Sequence, residues 1–434
     1  MSSPESSTDP RDSTTGSPSR LRWPLREFLE TEIAGGVAIV VATGTALLWA
    51  NSPLRASYDS LWQIPISLQI GTSSIGTDLR HWINEGLMAI FFFVVGLEIK
   101  REVVRGELSD KRTAMLPVLG ALGGMAVPAA IYLLVNSGGV GQRGWAVAMP
   151  TDIAFALGVL SLFGRSLDPS GRLFLLSLAI VDDIGTVVIM VLFYSVEIEP
   201  ASLLLALVLL GVMSVARAVG VRWNPLFILL GTGVWMATFV SNISATLAGV
   251  AVAFVTPVRP LDSGAWVRLP RIVQRFGHDP SPALLKETRR EAHAGVSTGE
   301  WLEHVLHPWT SFAIIPLFAL ANTGLYLGGG VMSDVAGSSI SLGLVAGRAV
   351  GKPLGILGLV WLATKLRLAS LPERLPWRLM AAVAVPAGVG FTVALVVADL
   401  ALNGRLERAA VFGLLAATAI SALASWLVLR STTN

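Results

Sequence analysis

Long apolar runs separated by short polar breaks cover most of the chain. A membrane-spanning helix needs about 20 predominantly apolar residues. Runs near 33–51, 82–99, 114–135, 144–163, 173–195, 201–219, 224–240, 243–257, 308–328, 338–363, 378–402 and 408–429 reach or approach that length, which predicts twelve spans. Only Ser241 and Asn242 divide the seventh run from the eighth. The polar exceptions are few. Residues 1–25 are rich in Ser, Pro, Arg and Asp and read as a disordered tail. Residues 61–79 (LWQIPISLQIGTSSIGTDL) alternate apolar and polar positions around a Gly-Thr-Ser-Ser turn, the pattern of a β-hairpin. Such a hairpin is either an ordered surface element or a strand pair that adds edge to edge to a second copy. Residues 259–301 form the one long internal polar stretch, expected as a loop, and residues 431–434 a short tail. The fold expected is an all-α polytopic membrane protein with its transmembrane domain over 26–430 and a small outer hairpin.

Two of the apolar runs carry helix breakers where the backbone would lie deep. The first reads AMPTDIAFALG (148–158), with Pro150 ahead of Thr151 and Asp152. The second reads AVPAGVGFTVAL (384–395), with Pro386, Gly388 and Gly390. A proline inside a helix removes one hydrogen bond and clashes with the preceding turn. At membrane depth, non-helical backbone is tolerated only inside protein or along a wet cavity. Transporters use such discontinuous helices beside their ion sites. The first break lies in span 4 of the triplet 3–5, the second in span 11 of the triplet 10–12, and the triplets start at opposite membrane faces. That arrangement predicts an inverted repeat.

Composition agrees: the chain is 53% hydrophobic and 14% charged, against about 25% charged in soluble domains. It has no cysteine, which excludes disulfides and thiolate metal sites. At a net charge of +3, no nucleic-acid partner is expected. The placement of charge says more than its sum. With the N-terminus on the cytoplasmic side, 25 of the 32 Lys and Arg residues fall inside and five fall outside or at the outer edge. The positive-inside rule then puts both termini in the cytoplasm.

Charges well within the runs are Asp152, Asp182, Asp183, Arg348, Lys352 and Asp399, with Glu85 and Glu98 nearer the ends. Each intramembrane carboxylate costs roughly 2.5–3.5 kcal/mol to insert, so each is a candidate functional group. Arg348 and Asp399 lie close enough to helix ends to snorkel. Asp182 and Asp183 differ by about 100° around a helix, so one can face a cavity while the other meets a neighbouring helix. Their protons should leave in two coupled steps. Once deprotonated, they offer hard oxygen ligands to a small cation. Cation and proton would therefore compete for one site. A buried Lys352 needs a partner, most simply an aspartate of the pair. If a cation took that aspartate, the lysine would tend to release its own proton. The five histidines (His81, His278, His293, His304, His307) fall at span edges or in the long polar stretch, as interfacial caps or pH-responsive groups.

Several stretches resemble one family. FFFVVGLEIKREVVRGEL (91–108), PTDIAFALGVLSL (150–162), LAIVDDIG (178–185), ATLAGV (245–250), LEHVLHPW (302–309), PLFALANTG (316–324) and GKPLGI (351–356) are similar to motifs of the NhaA-type bacterial sodium/proton antiporters, over roughly residues 27–430. That family is among the transporters built from inverted-topology repeats. The resemblance implies twelve helices with two crossed discontinuous ones, in the bacterial inner membrane. It implies electrogenic export of Na+ or Li+ for H+, activated at alkaline pH, without an enzymatic activity or a cofactor. It implies ion and proton sites at Asp182 and Asp183, with Thr151 and Asp152 at the crossing and Lys352 opposite Asp182. Glu98 and Glu303 would serve pH sensing, and the 61–79 hairpin would join two copies in a homodimer. Two positions depart from the family pattern: Ser244 stands where a histidine is usual, and Arg348 where an apolar residue is. The alternative is a sodium-coupled organic-anion symporter of similar architecture. An intramembrane aspartyl protease would need its two aspartates on facing helices, and a retinal protein an aromatic-lined lysine in the last helix.

Overall fold

The computed structural model describes residues 25–433, apart from 71–72, 164–168, 195–198, 220, 222–223, 242, 259–263, 329 and 372–374. Residues 1–24, nearly all of the expected tail, lie outside the described residues. Six described helices are long and apolar enough to cross a membrane: Lys111–Val135, Ser170–Phe193, Pro200–Ala218, Thr298–Asn322, Ser339–Lys365 and Arg405–Ser431. Two bent pairs raise the count to eight if each is one span, Ala34–Ala50 with Arg55–Trp62 and Trp377–Gly388 with Thr392–Ala401. Other apolar runs form shorter helices, Pro225–Val240 and Thr246–Val255, or helix Met88–Arg105, whose last two turns are charged.

Both expected interruptions are present, and their causes are local. Gln142–Ala148 is a 3-10 helix, Pro150 to Asp152 is non-helical, and an α-helix resumes at Ile153–Phe163. Trp377–Ala384 is helical, Pro386–Gly388 is a 3-10 turn, and Thr392–Ala401 follows after a bend of 46°. The half-helices pair across: Gln142–Ala148 packs on Thr392–Ala401, and Ile153–Phe163 packs on Pro386–Gly388.

The apolar core divides at the same place. One cluster contains Ala146, Val147, Phe391, Leu395 and Leu344; the other contains Leu157, Leu160, Leu178, Ile356 and Val383. Residues between the two clusters therefore form a seam deep inside the protein. The lysine-bearing helix reaches this seam through a π-helical segment, Ala346–Gly351, directly before Lys352–Lys365. Pro353 has no N–H to donate to the carbonyl four residues back, and the wider π turn accommodates that loss. Gly123 and Gly355 let this helix lie against Lys111–Val135, since a Cβ on either would run into the other's carbonyl.

The expected hairpin is present, with strands Pro65–Ile70 and Ser73–Asp78, antiparallel, with Pro65 opposite Asp78 and Ile70 opposite Ser73. The stretch expected as a loop at 259–301 is largely helical among its described residues. It contains two helices, Ala265–His278 and Pro282–Gly295, packed on one another. Its low hydrophobicity hides a stripe, Leu269, Ile272 and Phe276, at helical spacing.

Candidate functional site

Thr151 and Asp152 stand at the first interruption, and each is fixed by the second. The Asp152 backbone N–H donates to Val389 O at 3.1 Å, and the Thr151 hydroxyl lies 3.2 Å from Ala387 O. The Asp152 carboxylate accepts from Phe155 N–H at 3.2 Å, at the start of one half-helix. It also accepts from Thr392 N–H at 3.1 Å and from the Thr392 hydroxyl at 2.9 Å, at the start of the other. One carboxylate thus caps two helix N-termini, both partially positive.

The other end of the first break carries buried carbonyls, and cations meet them. Arg348 donates to Val147 O at 3.0 Å and to Pro150 O at 2.6 Å. Lys352 donates to Met149 O. Both side chains are wholly buried. Arg348 therefore does not snorkel to an interface, as its nearness to a helix end suggests; carbonyls freed by the break give it a better partner. Gly390 makes room for it, because a Cβ there would overlap the guanidinium. A usable signal exists in the sequence: Arg348 is four residues before Lys352, so the two share a helix face.

Asp182 and Asp183 occupy the seam from helix Pro169–Phe193. Asp182 Oδ2 accepts the Thr151 hydroxyl at 2.6 Å and pairs with Lys352 Nζ at 2.7 Å, both side chains being 0% exposed. Asp183 points elsewhere, onto a cavity of about 70 Å3 lined also by Glu98, Thr151, Asp152, His307 and Thr392. Asp182 Oδ1 and Asp183 Oδ1 are buried and accept no hydrogen bond among the described residues. Buried oxygens in that condition are suited to a proton or a bound cation. Among the described residues, no three His, Asp or Glu side chains converge as around a resident metal.

Five of the expected site residues, Thr151, Asp152, Asp182, Asp183 and Lys352, thus meet at one place. Glu98 borders the same cavity, and His307, expected only at the interface, reaches it too. Glu303 does not line it; its buried carboxylate pairs with Arg101, which also approaches Glu102 at 3.4 Å. Asp399 is likewise engaged inside the protein, accepting from Asn84 at 3.1 Å. Ser244 shares with the Ala245 N–H the carboxylate of Glu85, its hydroxyl 3.2 Å from either oxygen.

A family model described as Na+/H+ antiporter 1 matches residues 26–429. The chain belongs to this antiporter family. Among its relatives, the Na(+)/H(+) antiporter NhaA of Koribacter versatilis is 41% identical over 420 residues, covering 94% of this chain and 91% of that protein. The Na(+)/H(+) antiporter NhaA 2 of Sorangium cellulosum is 42% identical over 427 residues, with 94% and 90% covered. The Na(+)/H(+) antiporter NhaA of Rhizobium meliloti is 41% identical over 425 residues, with 96% of each covered. Among the described residues of this antiporter-family member, the seam between the interruptions holds the most deeply buried charges.

Proposed function

We propose that this chain is a secondary active antiporter that exports Na+ or Li+ from the cytoplasm in exchange for external H+. The observation that carries the reading is the fully buried Lys352–Asp182 pair next to an Asp183-lined cavity. A Na+ ion entering along the cavity would be held by Asp183, by Asp182 and by the Thr151 hydroxyl. Asp183 gives up its proton to admit it. Asp182 turns its charge to the cation, and Lys352 loses its counter-ion. A buried ammonium without a partner is strongly disfavoured, so it releases a proton as well. Two protons leaving for one monovalent cation move net charge, which makes exchange electrogenic. When Na+ departs on the far side, protons return and the ion pair re-forms. Asp152 and Arg348 stay in place throughout, neutralising the ends of the half-helices.

Around this centre we read twelve spans with the interrupted helices crossed in an inverted repeat, in the bacterial inner membrane with both termini cytoplasmic. The cavity side with Glu98 is then the cytoplasmic entrance. Glu98 and Glu303, the latter held by Arg101, are the groups we assign to pH sensing. The strand edge of 61–79 is the element assigned to homodimer formation.

The test uses everted membrane vesicles with an acid interior and a pH-sensitive dye. Added Na+ or Li+ should alkalinise the lumen, with loss of the signal in Asp182→Asn and Asp183→Asn. A normally inserted wild-type protein that moves no protons would overturn antiport, and Na+-driven uptake of an organic anion would then favour the symporter.

A further inference from the structure

We propose that the helical hairpin 265–295 is a docking element for the anionic lipid surface of the membrane that holds the protein. The hairpin is a self-contained unit. Its inward stripe, with Ile272 buried, closes on the second helix. Arg268 and Glu291 pair at 2.9 Å across the two helices. Ser281 caps the second helix by accepting the Leu284 N–H at 3.3 Å, with Pro282 in its first turn.

The outward stripe is different. Val267, Arg271, Gln274, Arg275 and His278 follow the spacing of one helix face, and all are exposed. Four of them, Arg271, Gln274, Arg275 and His278, border an open groove with Asp279 and Leu284. The second helix adds Lys286, Arg289 and Arg290, also exposed. Apart from the Arg268–Glu291 pair, the two helices and their link carry five Lys or Arg residues against two acids, Asp279 and Glu287. Exposed apolar side chains accompany these cations: Val267 is 67% exposed on the outward stripe, and Leu285 56% beside Arg289 on the second helix. Cations mixed with apolar groups on short helices match a charged headgroup layer above hydrocarbon.

Tethering selects the occupant. The stems of the hairpin meet where Gly299 N–H donates to Pro257 O at 2.8 Å. Helix Thr246–Val255 leads into this junction and the apolar helix Thr298–Asn322 leads out of it. The hairpin is thus tied directly to a helix apolar enough to cross a membrane, so a lipid surface is at high local concentration without any further partner. A soluble acidic protein or a nucleic acid has no such advantage.

The chain has no native cysteine, so one cysteine can report. Full-length Val267→Cys, labelled with an environment-sensitive fluorophore, is reconstituted in phosphatidylcholine vesicles or in vesicles rich in phosphatidylglycerol. Both carry nitroxide-labelled lipid as quencher. The expected result is a blue shift and quenching in the anionic vesicles, weakened by high salt. Each basic group near such a surface multiplies occupancy about fivefold, so Arg271→Glu with Arg275→Glu should lower it by more than about 25-fold. Retained Na+-dependent exchange in that variant shows that it is folded. Two results would overturn the proposal: no quenching in anionic vesicles, or equal quenching in both compositions.

Discussion

Two ion pairs in this protein have nearly the same length and opposite consequences. Lys352–Asp182 is 2.7 Å long with both side chains 0% exposed. Arg268–Glu291 is 2.9 Å long with side chains 48% and 20% exposed. The surface pair sits in high dielectric and its charges lose little when separated. The buried pair has no solvent to fall back on, so removing either charge changes the protonation of the other. Geometry makes the bond in both cases; burial alone makes one of them a switch. The same contrast separates the two groups of cations. Arg348 and Lys352 meet backbone carbonyls at the first interruption, while Arg271 and Arg275 are exposed on the hairpin.

The largest expected effect is that of Lys352→Ala. It leaves the Asp182 carboxylate buried without its cation, which costs about 3–5 kcal/mol. Below the pH at which Asp182 takes up a proton, the stranded charge disappears. The destabilisation is therefore greatest at alkaline pH and shrinks as pH falls, which thermal unfolding of the purified protein across pH will show. Next is Arg348→Gln, which removes two charge-assisted bonds to the first interruption, each worth about 1.5–3 kcal/mol. Exchange should slow by about tenfold or more, with partial recovery in Arg348→Lys. Gly390→Ala should reproduce the defect, because its methyl takes the space of the guanidinium. If Gly390→Ala transports normally, Arg348 does not position the site.

Smaller changes sharpen the contrast. Thr151→Val deletes the 2.6 Å hydroxyl bond to Asp182. The half-saturating Na+ concentration should rise about tenfold, corresponding to about 1.4 kcal/mol, with the maximal rate less affected. Arg268→Ala should do least. An exposed pair contributes about 0.2–1 kcal/mol, so melting should shift slightly and exchange not at all. A transport defect there would mean that the hairpin is coupled to the site.

What is legible in the sequence follows from where the physics is local. Pro150, Pro386, Gly388 and Gly390 break helices by their own covalent structure, so the interruptions can be placed from the chain alone. Adjacent aspartates and a lysine in apolar runs mark themselves by their insertion cost. Arg348 is misleading in sequence because its partners, the carbonyls of Val147 and Pro150, are 201 and 198 residues away and become free only through the break. The engagement of Asp152 with Thr392 across the two interruptions is equally invisible there, since nothing in either motif names the other. The helices at 265–295 are hidden for another reason: a short amphipathic stripe in a polar stretch is a weak pattern until a second helix covers it.

The most direct measurement is of protons released when Na+ binds. Purified protein in weakly buffered detergent with a pH dye would receive NaCl, with choline chloride as control. If cation and proton share one site, Na+ releases protons from the wild-type protein, choline does not, and Asp182→Asn and Asp183→Asn release none. If Na+ binds, as seen by thermal stabilisation, and no proton appears at any pH, competition at the aspartate pair is contradicted.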